Sequence, residues 1–274
     1  MSKKKKKLPI LSQEASLIDT HCHLDMDAYS EDLEAVLQRA CDSRIEHIIS
    51  IGIDIASSKN AINLAKQYSY ISATIGIHPH DVDNITTSTY DTLGELADTF
   101  RKHIVGYGEI GLDYFKEYSA ADNQRQHFKN QLSLAKDLQL PVIIHDRDAH
   151  EDTLSILKSS GAKDIGGVMH CFSGDSLLAK QVIDLGFYVS IPGVVTFKNA
   201  SDLQEVARTI PLDAMLIETD GPFLSPDPLR GKRNEPTNVL YTAEYIAQLR
   251  GISLDELAIQ TTRNAKKLFQ LPSN

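Results

Sequence analysis

Eight short apolar segments recur along the chain, and a stretch with helical spacing follows each of them. The segments are rich in Ile and Val and show little alternation of polar and apolar positions, which is typical of strands buried on both faces of a parallel sheet. We therefore predict eight strands, at Leu17–Asp19, His47–Ile53, Ile71–Ile77, Ile104–Tyr107, Pro141–Ile144, Gly167–Met169, Phe187–Ile191 and Met215–Ile217.

The stretches between these strands have the spacing of amphipathic helices. Leu33, Val36, Leu37 and Ala40, for example, stand at i, i+3, i+4 and i+7. Further helices are predicted near 122–139, 154–157, 177–185, 241–250 and 254–268.

Strand followed by helix, eight times in one chain, predicts a (β/α)₈ TIM barrel. An open doubly wound sheet is the alternative architecture, but the chain lacks the Gly-rich phosphate loop of that fold. No linker rich in Pro, Gly or Ser interrupts residues 17–274, so we predict a single barrel domain there.

The 274-residue chain carries a net charge of −9, and five of its lysines stand together at positions 3–7. We predict that residues 1–16 form a basic, disordered N-terminal tail, because a block of like charges is usually solvated. Removing the five lysines from the 28 basic residues leaves 23 against 37 acidic ones, so the folded body is acidic. A polyanionic substrate would need metal ions and a local basic patch to bind it.

The sequence has no segment that suggests a membrane or secreted location. Its apolar runs are shorter than the ~20 residues of a membrane-spanning helix, and none follows the basic N-terminus as a secretory signal would. Three cysteines, an odd number, do not suggest a secreted disulfide framework. We expect a cytoplasmic protein with reduced thiols, no membrane partner and no obligate protein partner.

Imidazole and carboxylate side chains stand at the ends of five predicted strands. His21 and His23 follow the first strand two positions apart, which puts both side chains on one face of an extended chain. In a barrel, these strand ends meet at the carboxyl-end mouth, where enzymes of this fold have their active sites. Such ligands favour a site for two metal ions. The candidates are His21, His23, Glu109, His145, His170 and Asp220.

The same segments resemble those of a known family. They read IDTHCHLD (18–25), GIHPH (76–80), GEIGLDY (108–114), HDRDA (145–149), HCFSG (170–174), ETD (218–220) and RGKRNEP (230–236). In this order, from Ile18 to about Phe269, the chain resembles the TatD family of metal-dependent deoxyribonucleases, which are amidohydrolase-like TIM barrels. One position departs from the family pattern, which often has Ser after ETD where this chain has Gly221.

The resemblance implies an enzyme that hydrolyses phosphodiester bonds in DNA, at single strands or ends, with a metal-activated water. The ligands it implies are His21, His23 and Asp220 for one ion, His145 and His170 for a second, and Glu109 as the bridge. Asp220 would also act as the general base, and Glu109 belongs to the catalytic centre with it. The two ions are divalent, and the residue types do not choose among Zn, Mn, Mg, Fe, Co and Ni.

Glu218 stands two positions before Asp220 and therefore shares its face of the strand. We predict that Glu218 orients a ligand histidine without itself binding an ion. A buried carboxylate in an ordinary ion pair is the alternative.

Basic residues recur in the loops that follow the strands, where they would ring the mouth. His78 either contacts phosphate or holds a structural turn before Pro79. Phe172 and Phe197 either stack on a base or pack within their loops. Ordinary loop charge is the alternative for each basic residue. The predicted phosphate contacts are Arg147, Lys198, Arg230, Lys232 and Arg233.

A basic mouth favours a phosphodiester substrate. The alternative is a hydrolase of another ester or amide bond on the same metal barrel, for example with an aminoacyl-tRNA deacylase-like activity. A non-enzymatic metal scaffold is disfavoured, because every proposed ligand is present.

Overall fold

Eight parallel strands form one sheet, and their order in the sheet is their order in the chain. The structure is a computed structural model and describes residues 7–116 and 118–272. The strands are β1 Leu17–Cys22, β2 Ile45–Ser50, β3 Ile71–Ile75, β4 Ile104–Asp113, β5 Val142–Arg147, β6 Gly167–Met169, β7 Tyr188–Ile191 and β8 Met215–Ile217.

The sheet nearly closes on itself where β1 meets the segment that follows β8. Cys22 forms a parallel bridge with Gly221. The backbone N–H of His23 donates to the Gly221 carbonyl at 2.7 Å, and the N–H of Asp220 donates to the His21 carbonyl at 2.9 Å. The predicted TIM-type barrel is therefore confirmed.

Helices separate the strands and surround the sheet. Asp54 caps the helix Ile55–Gln67 (α2) by accepting from the Ser57 N–H at 2.6 Å. Asp175 caps the helix Ser176–Asp184 (α6) by accepting from the Leu178 N–H at 2.8 Å. None of the helices in the described ranges is both long and apolar enough to cross a membrane. The helices are α1 Leu33–Asp42, α2 Ile55–Gln67, α3 Thr87–Thr99, α4 Ala121–Asp137, α5 His150–Ser159, α6 Ser176–Asp184, α7 Ser201–Thr209, α8 Val239–Arg250 and α9 Leu254–Phe269.

The fourth strand is longer than the sequence pattern predicts. It runs to Asp113 rather than ending at Tyr107. Its polar end stays in the sheet because it pairs with β5, where Gly111 faces His145 and Asp113 faces Arg147. This end of the strand is buried as well, but its Gly, Glu and Asp residues interrupt the apolar pattern from which the strand is predicted.

The interior of the barrel is apolar over most of its depth. Ile18, Ile49, Ile143, Val168 and Leu216 pack with Phe269 of α9 in a cluster separate from the apolar layer between sheet and helices. Such a packed interior makes the barrel a rigid support rather than a channel.

The segment before β1 packs on the barrel, which corrects the predicted tail of residues 1–16. Leu11 and Ala15 are buried. The Arg44 guanidinium donates to the Ala15 carbonyl at 2.8 Å, and the Ser12 N–H donates to Asp255 Oδ1 at 3.1 Å. These contacts satisfy backbone groups of the segment and bury its apolar side chains. Residues 3–6 of the lysine block lie outside the described residues.

Candidate metal centre

The inner face of the barrel changes from apolar to polar at the carboxyl ends of the strands. Ile143 on β5 and Val168 on β6 belong to the inner apolar cluster, and His145 and His170 follow each of them by two positions. Because side chains alternate along a strand, both histidines face the same interior. The apolar cluster thus forms a floor beneath a layer of polar groups.

One group of that layer joins β1 to the segment after β8. The Nε2 atoms of His21 and His23 lie 3.3 Å apart. Asp220 Oδ1 lies 3.7 Å from the first Nε2 atom and 3.5 Å from the second. These three side chains are close enough together to hold one metal ion.

A second group surrounds one oxygen of the buried Glu109. Its Oε1 lies 2.8 Å from His145 Nδ1 and 2.9 Å from His170 Nε2. His78 Nε2 lies 3.4 Å from the same oxygen. His78, Glu109 and His145 form a further set that is close enough together to hold an ion. The structure therefore brings His78 into the centre itself, where the sequence predicts only a substrate contact or a turn.

The other oxygen of Glu109 faces the first group. Glu109 Oε2 lies 3.4 Å from His21 Nε2 and 3.8 Å from His23 Nε2. One carboxylate thus stands between the two groups and presents one oxygen to each.

The charge states suit metal binding. Burial alone would raise the pKa of Glu109, but the imidazoles of His170 and His78 and hydrogen bonding outweigh burial and hold that pKa well below its usual range. For Asp220, burial is likewise outweighed by His23 and His21, so its pKa is lowered. Burial lowers the pKa of His78 to about 4. The carboxylates are therefore ionised and His78 is neutral. For His170, His145 and His23, the neighbouring carboxylates outweigh burial and raise the pKa, so an ion that binds these imidazoles must displace their protons.

The donor set fits a divalent cation. His21 Nδ1 and His23 Nδ1 are buried without a hydrogen-bond partner among the described residues, while their Nε2 atoms point at each other and at carboxylate oxygens. Burying so many ligand atoms against one another is costly unless a cation lies between them. Neutral imidazoles and carboxylates are ligands that Zn²⁺ and related ions accept.

Glu218 lies behind His170, at the inner end of the centre. Its Oε1 accepts from the Cys171 N–H at 2.6 Å, and its Oε2 accepts from the Ser190 hydroxyl at 2.6 Å. The same Oε1 lies 3.4 Å from His170 Nδ1. Glu218 is fully buried, and its position is compatible with the predicted role of orienting a ligand histidine.

Asp113 is a residue of the centre that the sequence analysis missed. Its Oδ2 lies 3.1 Å from His145 Nε2 and 2.9 Å from His80 Nε2, and its Oδ1 accepts from the Lys116 N–H at 2.8 Å. Burial opposes the charge on Asp113, but these hydrogen bonds lower its pKa. The sequence spacing could have revealed Asp113. If the strand is continued past Tyr107, Asp113 lies four positions after Glu109 and therefore on the same face of β4.

The predicted phosphate contacts differ in whether their charged groups are already paired with a carboxylate. The Arg147 guanidinium lies 3.8 Å from the centroid of the Phe115 ring, and that of Arg230 lies 4.2 Å from the Phe197 ring. Both arginines are exposed and form no ion pair with any described residue. A stacked guanidinium keeps its N–H edge available for an anion. Lys198 and Lys232 are exposed as well.

Arg233, also predicted as a phosphate contact, is bound to a carboxylate in this structure. Its two terminal nitrogens donate to the Asp32 carboxylate at 2.6 and 2.8 Å, and one of them also donates to the Ala28 carbonyl at 2.7 Å. The side chain therefore fastens the loop after β8 to the loop after β1.

Two further features of the mouth follow from packing. Phe172 is fully buried, which leaves only the loop-packing interpretation for it. At Gly221, where the family often has Ser, a Cβ atom would lie 2.5 Å from the Tyr29 hydroxyl. That hydroxyl donates to the Asn234 carbonyl at 2.8 Å, so a buried tyrosine occupies the space beside Gly221.

A (β/α)₈ barrel with this centre at its carboxyl-end mouth belongs to the class of metal-dependent hydrolases. Within that class, the chain belongs to the TatD-related DNase family, whose model matches residues 18–270.

Relatives and solved structures agree with this assignment. The chain is 46% identical over 255 residues to the metal-dependent hydrolase YabD of Bacillus subtilis, covering 93% of this chain and 99% of the relative. It is 36% identical over 261 residues to the metal-dependent hydrolase YcfH of Escherichia coli K12, covering 94% and 97%. The crystal structure of the TatD homologue YjjV from Escherichia coli K12 matches with a TM-score of 0.89 at 32% identity, covering 93% and 98%.

Proposed function

We propose that this protein is a metal-dependent phosphodiesterase that cleaves DNA, at single strands or ends. The observation that carries the proposal is Glu109, whose two oxygens face two separate groups of ligand atoms. Paired metal sites of this kind are typical of enzymes that hydrolyse phosphodiesters by displacement with water.

We assign two divalent ions to the two groups. Ions bound there would supply a water of lowered pKa and would polarise a phosphoryl oxygen. The first set of ligands is His21, His23 and Asp220, the second is His78, His145 and His170, and Glu109 lies between them. Glu218 supports His170 from behind.

Asp220 is the proposed general base. Water attacks phosphorus, and the proton that the water loses passes to an Asp220 oxygen. The bond to the leaving oxygen breaks, and that oxygen takes up the proton from Asp220 and departs as a hydroxyl group. The lowered pKa of Asp220 means that this carboxylate is ionised before the water attacks. Asp220 is also the more exposed of the two carboxylates, with 13% of its side chain accessible against 4% for Glu109.

Phosphate groups of the substrate would bind to Arg147, Arg230 and Lys198. The body of the protein is acidic, with a net charge of −9 for the whole chain, so an oligonucleotide approaches only where the surface is locally positive. Two guanidinium groups at the mouth that make no ion pair with described residues supply such a surface: Arg147 ends β5 and Arg230 lies on the loop after β8.

The test is cleavage of a labelled single-stranded oligonucleotide. Protein stripped with a chelator should be inactive, and Mn²⁺, Co²⁺, Zn²⁺ or Mg²⁺ should restore activity. Asp220→Asn should lower the rate more than it lowers metal affinity, since it removes the base but keeps an oxygen ligand. A panel of carboxylic esters, amides and aminoacyl-tRNA is assayed alongside, and metal-dependent turnover of that panel without any oligonucleotide cleavage would replace the nuclease proposal with the ester or amide one.

The arginines provide a matched comparison for phosphate binding. Arg147→Ala and Arg230→Ala should each lower kcat/KM on oligonucleotides about tenfold or more, because each loses a charge-assisted hydrogen bond. Each should also reduce, by about 0.7, the steepness with which log kcat/KM falls with the logarithm of the salt concentration. Arg233→Ala also removes one positive charge, but the guanidinium that it removes is already bound to Asp32. The salt dependence of this variant should therefore equal that of the wild type. Equal slopes in all four proteins would refute the assignment of phosphate contacts.

A further inference from the structure

Exposed aromatic side chains are concentrated at the mouth. Among the described residues, the most exposed large aromatic side chains are Phe115, Tyr118 and Phe223, with 55%, 65% and 49% exposure. All three lie on loops that follow β4 or β8. Each of these rings offers a large apolar surface at the mouth, where a bound ligand can contact it.

Phe223 stands against the first ligand group. Its ring centroid lies 6.1 Å from that of His23, with the planes at 67°. Its backbone is held on both sides, since its N–H donates to the Asp220 carbonyl at 2.9 Å and its carbonyl accepts from the Asn234 side chain at 2.7 Å. The ring is therefore carried on a fixed support directly beside the reacting centre.

Tyr118 stands beyond the second ligand group. Its ring centroid lies 4.8 Å from that of His80, and the His80 ring lies 4.2 Å from His78. Positive charge accompanies it, because Lys116 Nζ lies 5.8 Å from the Tyr118 ring centroid and Arg147 covers the neighbouring Phe115 ring. This side of the mouth thus combines a free ring face with cations.

The two rings lie on opposite sides of the centre. In a barrel of eight strands in sequential order, β4 and β8 are separated by half the circumference. A chain that crosses the mouth from one loop to the other passes over Glu109 and the histidines between them. The spacing suits a polymer whose reacting phosphate lies at the centre and whose flanking groups reach outward to each side.

We propose that Phe223 and Tyr118 are stacking platforms for the unpaired bases on the two sides of the scissile phosphate, which makes the substrate single-stranded. This inference rests on the proposed phosphodiesterase function. Aromatic rings next to cations bind single strands because every base offers a π-face, while bases within a duplex are already stacked.

The test is a double-mutant cycle between protein and substrate. A single abasic nucleotide is moved stepwise along a labelled single-stranded oligonucleotide, and kcat/KM is measured for each cleaved linkage. In the wild type, loss of either base that flanks the scissile linkage should lower kcat/KM about tenfold, the scale of one base–aromatic stack. Phe223→Ala should abolish the penalty on one side and Tyr118→Ala the penalty on the other. Tyr118→Phe should restore it, since the ring alone is needed.

Ile259→Ala is the matched control, because Ile259 is an exposed apolar side chain on the outer helix α9. It should keep both abasic penalties. The stacking proposal would be refuted if Phe223→Ala and Tyr118→Ala kept the wild-type loss of kcat/KM on abasic strands. It would also be refuted if the wild type cleaved duplex and single strands equally. If the wild type cleaves no oligonucleotide, the phosphodiesterase proposal fails. In that case, the affinity of metal-loaded protein for the same labelled strands, measured by fluorescence anisotropy, tests whether Phe223 and Tyr118 stack on bases. Equal affinities for intact and abasic strands would refute the stacking proposal.

Discussion

At the scale of single residues, Asp113 links the second ligand group to the loop that follows β4. Its Oδ2 atom contacts both His145 Nε2 and His80 Nε2. Its Oδ1 atom accepts from the backbone N–H groups of Phe115 and Lys116. A carboxylate bonded to one nitrogen of an imidazole fixes which nitrogen is left to bind a metal ion. Here that nitrogen is His145 Nδ1, which faces Glu109.

Asp113→Asn should therefore weaken metal binding at the second group without removing a ligand. We expect metal affinity or kcat to fall about 10- to 100-fold, as for other groups that orient a ligand histidine. Metal titration by calorimetry and oligonucleotide cleavage measure the two effects. Asp164→Asn, at an exposed carboxylate paired with Lys136, is the matched control and should change neither. Unaltered metal affinity in Asp113→Asn would show that His145 needs no such support.

At the scale of elements, β4 carries two residues of the centre because it stays paired with β5 as far as Asp113. Gly111 permits this pairing, since a Cβ atom there would lie 2.0 Å from the His145 carbonyl oxygen. Its φ of 141° is also in the region that favours glycine. A residue without a side chain thus decides whether Glu109 and Asp113 reach His145.

Gly111→Ala should lower the free energy of unfolding by about 1–3 kcal/mol, because the strands must separate or the backbone must strain. Gly94→Ala tests the same change at a position in α3 where a Cβ atom meets nothing within 4 Å. It should stabilise the protein by about 0.5–1 kcal/mol, since alanine favours a helix over glycine. Thermal unfolding compares the two variants, and shifts in the same direction would contradict the role given to Gly111.

His47 makes the stability of β2 depend on pH. Burial lowers its pKa to about 4, and its Nε2 lies 2.9 Å from the Ser72 hydroxyl. The imidazole stays neutral in the folded protein, while the unfolded chain takes up a proton below about 6.5. Its contribution to stability is therefore complete above pH 6.5 and falls by up to ~3 kcal/mol as the pH drops towards 4.

His47→Gln keeps a polar partner for Ser72 but does not titrate. Between pH 6.5 and 4, its free energy of unfolding should fall less steeply than that of the wild type. Denaturant titrations at several pH values measure the difference. Parallel curves for the two proteins would mean that His47 contributes nothing to the pH dependence.

At the scale of the whole molecule, the metal centre connects parts of the barrel that are far apart in the chain. Its ligand atoms come from β1, β4 and β5 and from the segments that follow β3, β6 and β8. A cation that binds the folded protein and not the unfolded chain stabilises all of these elements together.

Removing metal should therefore lower Tm as well as activity. An ion present at about 1,000 times its Kd contributes about 4 kcal/mol, which is on the order of ten degrees in Tm for a protein of this size. Thermal scans with chelator and with added Mn²⁺ or Zn²⁺ measure the shift. Glu109→Gln removes the negative charge between the two ligand groups, so this variant should lose most of the metal-dependent increase in Tm. A Tm that does not respond to metal in the wild type would count against a bound ion at this centre.

What the sequence by itself determined about this protein is what local spacing encodes. Eight Ile- and Val-rich segments with helices between them predict the barrel. Polar residues placed just past those segments predict which side chains meet at its mouth, because parallel strands in a barrel all end on the same side. His145 and His170 are found in this way, since each follows an inward-facing apolar residue by two positions.

Only the tertiary structure decided which partners these side chains have. Arg233 and Asp32 are 201 positions apart, and no local pattern relates them, so the sequence does not reveal that this arginine joins two loops. Asp113 joins the centre because β4 continues along β5. Phe172 is buried while Phe223 stays exposed, although both lie in mouth loops. Exposure and pairing depend on how distant segments pack together, and that packing is a property of the whole fold rather than of any stretch of sequence.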